Sequence, residues 1–520
     1  MHDDNSNDPN SMSEDRGDRP RVIGELTARN AAARPDQEAV VDGARRMSWT
    51  DFDDRVTRLA NALLDEMGLE PGDRIAFLGE NCLEGFELLY GGPMVGVIVV
   101  PLNDRLADKE LAGVLAAIEP KVLFHTAAAA ERAALLTGSA EAMMVTVGHA
   151  DHAAYDALLA AAGTSRPDVR VEPDDVSSIC FTSGTTGRPK GVMMTHRAQL
   201  AFARAQTVIE PVSSDSRHLF ARQLAVAPGH RIAAWHGLNG GCTIITPRFV
   251  PSDFFRVVEE ERVTNVLLAP TQLQMLLDDG NPAGHDLATL RTIVYGGAPT
   301  TPTLLAATME FFSCDLLQAY GGTEAGQILY VSRYDHHAGR VGAYHNVVPG
   351  VEIERRSEDG RVVGDDEPGQ IHVHSEQLMA GYWRDPDKTA AVLHDGWYAT
   401  GDLSIVDADG GIRVAGRTSD MIISGGYNIM PIEIEDLIRE HLAVRDVAVF
   451  GVPDELWGEA VHAAVVVGGA HDLDVDELGE LCASQLAAFK TPKAIHLVDQ
   501  LPLTLLGKVD KASLRREWTT

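Results

Sequence analysis

Apolar positions along this chain change period in a regular way. Over residues 49–64, Phe52, Val56, Leu59, Leu63 and Leu64 fall at helical spacing, which predicts a helix with one buried face. Short stretches dominated by apolar residues at 73–78, 97–100, 122–124, 266–268 and 292–294 read as buried strands. Helical patterns alternating with such strands imply mainly parallel sheets covered by helices, an α/β fold. Ligands in such folds sit at the carboxyl ends of strands. Two loops meet that placement: Tyr295-Gly296-Gly297-Ala298-Pro299 and Ala319-Tyr320-Gly321-Gly322-Thr323-Glu324.

After about Asp407 the pattern shifts. Gly401, Gly410, Gly411 and Gly416 punctuate short strands, and a compact α+β segment follows. Residues 432–441, 475–486 and 511–518 read as helices, and 447–450, 461–467 and 494–498 as strands. A boundary near residues 416–420 divides a large N-terminal domain, 21–417, from a small C-terminal domain, 418–520. Residues 1–20 are rich in Asp, Asn and Ser and read as a disordered tail with no apolar core for a signal peptide.

A chain of 520 residues is too long for one ordinary core. Its formal net charge of -32 disfavours a nucleic-acid or anionic-membrane partner, since both need basic patches. Its longest apolar stretch, residues 94–102, is too short to span a bilayer, so the expected location is the cytoplasm. Five scattered cysteines without C-x-x-C spacing suggest neither a disulfide framework nor a zinc site. His372 and His374 share one strand face with no third ligand close in sequence, a weak basis for a metal.

The densest candidate chemistry is Phe181-Thr182-Ser183-Gly184-Thr185-Thr186-Gly187-Arg188-Pro189-Lys190-Gly191. Glycines let the backbone approach an anion closely, and a concave run of amides and hydroxyls can cradle phosphate. The spacing to Lys190 is not that of the G-x-x-x-x-G-K-[ST] loop. By itself the stretch is equally compatible with a flexible Ser/Thr/Gly linker.

Five further segments follow in order: Gly296-Gly297-Ala298-Pro299, Gln318-Ala319-Tyr320-Gly321-Gly322-Thr323-Glu324, Gly396-Trp397-Tyr398-Ala399-Thr400-Gly401-Asp402-Leu403, Gly416-Arg417-Thr418-Ser419-Asp420, and Pro502 to Lys511. Together with the first motif, the ordered set resembles the adenylate-forming superfamily of acyl- and aryl-CoA synthetases, peptide-synthetase adenylation domains and luciferases. The resemblance covers nearly the whole chain after the tail.

It implies an acid–thiol ligase that uses ATP, Mg²⁺ and coenzyme A. Thr182, Ser183, Gly184, Thr185, Thr186, Gly187 and Lys190 would hold the β- and γ-phosphates. Thr323 and Glu324 would meet the α-phosphate and the cation, a hard ion suited to a carboxylate. Tyr320, within Gln318 to Gly322, would stack on adenine, with Gly297, Ala298 and Pro299 on its other side. Asp402 would accept from the ribose hydroxyls, Arg417 would approach ribose or phosphates, and Val414 would line the pocket. Lys508 would reach from a mobile C-terminal domain to the carboxylate and α-phosphate, where a flexible ammonium suits spreading negative charge. Gly296, Gly321 and Gly326 would border the acyl group and leave room for a bulky or ring-containing acid.

Two departures from the family pattern stand out. Where many relatives carry Pro-x-x-His, this chain reads Ala227-Pro228-Gly229-His230-Arg231, with Trp235 and His236 beyond and a shortened run to Gly240-Gly241. This places His230, Arg231 and Trp235 near a remodelled acyl pocket, or His230 simply in a loop. At the hinge, Ser419 stands where relatives carry Lys or Asp; a small residue still permits a backbone rotation. Ser424, Gly425 and Gly426 resemble the CoA-ligase form of the next loop, whose glycines would let pantetheine pass. Lys490 and Lys493 are candidates for CoA phosphates or plain surface lysines. The implied reaction is activation of a fatty, aryl or other bulky acid as acyl-AMP and transfer to CoA. Delivery of the adenylate to a carrier protein or partner enzyme stays open, as does a non-catalytic nucleotide-binding protein.

Overall fold

The computed structural model describes residues 19–137, 142–148, 152–182, 189–468, 473–503 and 509–519. They gather into two compact units. One takes residues up to 104, 108–181 and 191–248, the other residues 105–107, 182–190 and 249–520.

In the first unit the apolar runs become parallel strands. Arg74–Leu78 lies between Ile98–Leu102 and Val122–Thr126; Met143–Val147 extends one side and Val176–Thr182 the other. Ile98–Leu102 and Val122–Thr126 are buried at every residue, as strands with both faces covered must be. A second set aligns Arg217–Phe220, Cys242–Ile245 and Glu38–Asp42 in parallel and ends in antiparallel Arg45–Ser48.

The first predicted helix begins at Trp49 because Ser48 and Asp51 cap it reciprocally, each side chain bonding the other's backbone amide. It is α-helical to Asn61 and widens to a π-turn over Ala62–Glu66, so Leu63 and Leu64 leave the regular period. Its Arg55 reaches Glu87 in the wholly buried helix Leu83–Met94, where Tyr155 also donates to Glu87 at 2.7 Å.

The second unit starts with parallel strands Asn265–Leu268, Thr292–Gly296 and Asp315–Gly322, then turns back through antiparallel Gly326–Val331. Residues 351–417 depart from the parallel pattern. Val351–Arg356, Gly369–Ser375, Trp397–Val406 and Ile412–Arg417 form an antiparallel sheet, with Asp402 paired to Arg417. A 3-10 turn at Thr418–Asp420 follows, with Ser419 exposed.

Beyond it lies the expected α+β segment. Val444–Asp454 pairs antiparallel with Gly458–Val467, which pairs in parallel with Ala494–Leu497. Alternation divides the side chains between two faces. Val447, Val449, Ala463 and Val465 pack with Ile434 and Leu478; Ala448, Phe450, Ala464 and Val466 pack with Leu501 and Leu514. These strands run three to four residues longer at their outer ends than the apolar code alone predicts, because Pro453, Asp454, Gly458 and Glu459 continue the ladder. No helix among the described residues is long and apolar enough to cross a membrane.

Candidate active site

The second unit brings several of the sequence candidates together. The strand Asp315–Gly322 carries Gln318, Ala319 and Tyr320, and its neighbour Thr292–Gly296 opens into the loop of Gly297, Ala298 and Pro299. The Tyr320 hydroxyl donates to Asp402 Oδ2 at 2.7 Å, and Arg417 Nε lies 2.9 Å from Asp402 Oδ1. Asp402 sits in Trp397–Val406, its amide donating to Thr400 Oγ1 at 3.0 Å, and Val414 lies in the strand paired with it. Burial, and then the charge on Asp402, push the Tyr320 phenol well above its ordinary range, so it remains a donor. Burial opposes the charge on Arg417, but Asp402, Tyr398, Glu324 and Tyr320 together outweigh it and keep the guanidinium protonated.

Glu324 follows directly, with its backbone carbonyl accepting from the Met379 amide at 2.7 Å. Its Oε1 accepts from the Tyr382 hydroxyl at 3.1 Å. A Cβ added at Gly322 would meet only Glu324 Oε2, at 3.7 Å, so the glycine keeps that oxygen approachable. No cluster of three or more acidic, histidine or cysteine side chains among the described residues could hold a metal. One approachable carboxylate nevertheless fits a hard cation that arrives on phosphate oxygens with its own waters.

Lys190 opens a strand, and its Nζ lies 5.1 Å from the centre of the Tyr382 ring. Thr182 ends the strand before it, and Thr323 lies beside Glu324 in the turn. Ser183, Gly184, Thr185, Thr186, Gly187 and Lys508 lie outside the described residues.

The glycines expected near the acyl group have close backbone neighbours. A Cβ at Gly296 would lie 2.2 Å from the Ala319 carbonyl oxygen, and one at Gly321 would lie 2.0 Å from that of Gly326. At both positions the absent side chain lets neighbouring strands approach closely. Gly326 itself takes φ +73°, the conformation that reverses the chain between paired strands. Beside Gly297, nothing comes within 4 Å of the place a Cβ would take.

His230, Arg231 and Trp235 belong to the first unit, on the helix Ala227–Asn239 rather than in a loop. All three are at most 2% exposed. His230 Nδ1 lies 2.9 Å from Ser178 Oγ, Arg231 covers the Phe202 ring at 5.2 Å, and Trp235 packs edge-on against His218 and His236. Burial first, then the neighbouring Arg231 charge, lower His230 to about 3, so it is neutral at ordinary pH.

In the C-terminal segment, buried Ser424 and exposed Tyr427 close a two-residue hairpin turn. Gly425 and Gly426 both have positive φ, +59° and +82°, as that turn requires. The Gly425 amide donates to the Trp457 carbonyl at 2.7 Å. Lys493 lies over the Trp457 ring at 5.7 Å, and Lys490 pairs with Glu433.

Sequence reasoning missed Tyr344 and Tyr382. Tyr344 packs at 5.6 Å on the Tyr320 ring and is fixed by paired backbone bonds to Ile412. Neither lies in a glycine-rich loop, and only the fold brings them to the site.

The sequence matches the profile of the AMP-binding enzyme family over residues 27–383 and that of the AMP-binding enzyme C-terminal domain over residues 433–508. A feruloyl-CoA synthase of Amycolatopsis sp is 37% identical over 499 residues, spanning 95% of this chain and 99% of that protein. The amide bond synthetase McbA from Marinactinospora thermotolerans is 31% identical and superposes with a TM-score of 0.86, covering 96% of this chain and 100% of that one. ATP-bound MatB from Rhodopseudomonas palustris is 28% identical with a TM-score of 0.87, covering 95% and 99%.

Proposed function

The chain belongs to the adenylate-forming family of AMP-binding enzymes, which activate acids with ATP, and on that premise we propose that it is a carboxylic acid–CoA ligase. The observation that carries the reading is the linked set Tyr320–Asp402–Arg417, carried on three strands, beside Glu324 in the turn that follows Gly322. The acid's carboxylate oxygen attacks the α-phosphorus of ATP, and the bond to pyrophosphate breaks. The thiol of CoA then displaces AMP from the acyl carbon.

Asp402 accepts from the ribose hydroxyls, and Tyr320 carries adenine on its ring while its hydroxyl orients Asp402. Arg417 offsets the charge of Asp402 and faces ribose or phosphate. Lys190 and the loop from Thr182 draw the leaving pyrophosphate. A bound Mg²⁺ would neutralise phosphate charge, and Glu324 with Thr323 would hold it. Lys508 stabilises the charge that spreads as the carboxylate attacks, a role for electrostatic preorganisation. The C-terminal domain, 418–520, pivots at Ser419 to exchange the two half-reactions.

The glycine turn at Ser424, Gly425 and Gly426, with Trp457 and Lys493 beside it, supports CoA as acceptor. The acid is of the fatty, aryl or other bulky class; the likeness to a feruloyl-CoA synthase supports an aryl acid. Likeness to an amide bond synthetase favours a second reading, in which the adenylate passes to an acceptor other than CoA.

A panel of carboxylic acids, assayed by pyrophosphate exchange and then for thioester with free CoA, tests both. Exchange with thioester is the expected result. Exchange without thioester, for every acid that exchanges, replaces CoA with another acceptor. Lys508→Ala is expected to nearly abolish adenylate formation while leaving ATP binding measurable; near-normal exchange in that variant would overturn the assignment.

A further inference from the structure

Tyr382 is not part of any motif that marks the site, yet it touches two of the site's charged groups. It is 4% exposed. Its hydroxyl donates to Glu324 Oε1 at 3.1 Å, and the face of its ring lies 5.1 Å from Lys190 Nζ.

Its backbone is fixed independently of these contacts. The Tyr382 amide donates to Thr389 Oγ1 at 2.9 Å, and Thr389 belongs to the helix Pro386–Val392, capped by the Asp385 side chain. A side chain held this way can hold others. A neutral phenol bonded to a carboxylate leaves that carboxylate charged and restricts its rotation. An aromatic face attracts an ammonium without neutralising it, so the cation stays available to phosphate.

We propose that Tyr382 is a positioning residue for the adenylation reaction, aligning the Glu324 carboxylate toward the metal-bound triphosphate and the Lys190 ammonium toward the leaving pyrophosphate. This rests on the reading that Glu324 and Lys190 serve ATP. Either alignment alone would follow from a different side chain. Both from one residue tie the cation-facing and phosphate-facing groups to a common, buried anchor.

Two substitutions separate the hydroxyl from the ring. Tyr382→Phe keeps the ring and removes the bond to Glu324. Tyr382→Leu removes both. Equilibrium binding of ATP is measured by calorimetry for each protein, in excess Mg²⁺ and in EDTA. Loss of a hydrogen bond to a charged group corresponds to about a tenfold change in affinity. For Tyr382→Phe we expect ATP affinity to fall about tenfold in Mg²⁺ and to be unchanged in EDTA. For Tyr382→Leu we expect an added fall of several-fold in EDTA, because Lys190 has lost its support.

The ratio of the two affinities within one variant is insensitive to a general loss of folded protein. A ratio for Tyr382→Phe equal to that of the unaltered protein overturns the positioning of Glu324. Equal EDTA affinities for the Phe and Leu variants overturn the positioning of Lys190. Failure of the unaltered protein to bind ATP at all would instead overturn the functional reading beneath the proposal.

Discussion

Asp402 is held from two sides, by a hydrogen bond from Tyr320 to one oxygen at 2.7 Å and an ion pair of the other with Arg417 at 2.9 Å. Both partners must therefore be in place for its lone pairs to face a ribose in a fixed direction. Tyr320→Phe keeps the ring available to adenine and deletes only the hydroxyl. A hydrogen bond to a charged acceptor contributes about 1.5–3 kcal/mol, so the ATP dissociation constant should rise by about tenfold or more. Titration of ATP against the variant checks this, and an unchanged constant would remove the Tyr320–Asp402 bond from the working site. Tyr320, Asp402 and Arg417 were legible because each stands in or beside a glycine-punctuated segment at a strand end. Tyr382 and Tyr344 were not. Their contacts join segments far apart in sequence, and an isolated tyrosine carries no sign of what will pack against it. Nor does the sequence reveal that the Ala319 carbonyl lies where a side chain on Gly296 would go.

At the level of elements, periodicity located the helices and central strands well and their ends less well. The alternating apolar code stops where a ladder leaves the core, but backbone pairing continues, as Pro453, Asp454 and Gly458 show. The antiparallel sheet of residues 351–417 was hardest to read, since polar residues such as Glu352, Glu354, His372 and His374 interrupt its strands. Helix Trp49–Asn61 was clear, yet the reason for Arg55 within it was not. That residue meets Glu87, which is fully buried in the helix Leu83–Met94 and shares its charge with Tyr155. Removing one partner of such a pair leaves an uncompensated buried charge. Arg55→Ala should accordingly cost about 3–5 kcal/mol of stability, read as a lower urea midpoint. A loss below about 1 kcal/mol, the range of exposed pairs, would mean that water reaches Glu87.

Across the whole molecule, a net charge of -32 and a set of buried neutral histidines make opposite demands on pH. Acid relieves the mutual repulsion of the carboxylates, which favours the folded state. The histidines work the other way. Burial lowers both His230 and His236 from the ordinary 6.5 to about 3, and lowers His218 well below its ordinary value, with His236 adding to the effect there. In the unfolded chain these imidazoles take protons near pH 6.5, whereas the folded chain resists until about pH 3 for His230 and His236. Their contribution is therefore intact above about pH 6.5 and drains as the pH falls toward 3. At pH 5 each such histidine removes about 2 kcal/mol. Surface repulsion is screened by salt and buried groups much less so, which means that at high ionic strength the histidine term should prevail. Urea unfolding at pH 7.5 and pH 5 in high salt should show a marked acid loss. His236→Asn should shrink that loss by about 2 kcal/mol, whatever it does to stability at pH 7.5, because the substitution removes one proton acceptor from the unfolded chain. An identical acid loss in the two proteins would show that His236 is already protonated in the folded state, and would place water or a counter-charge beside its ring.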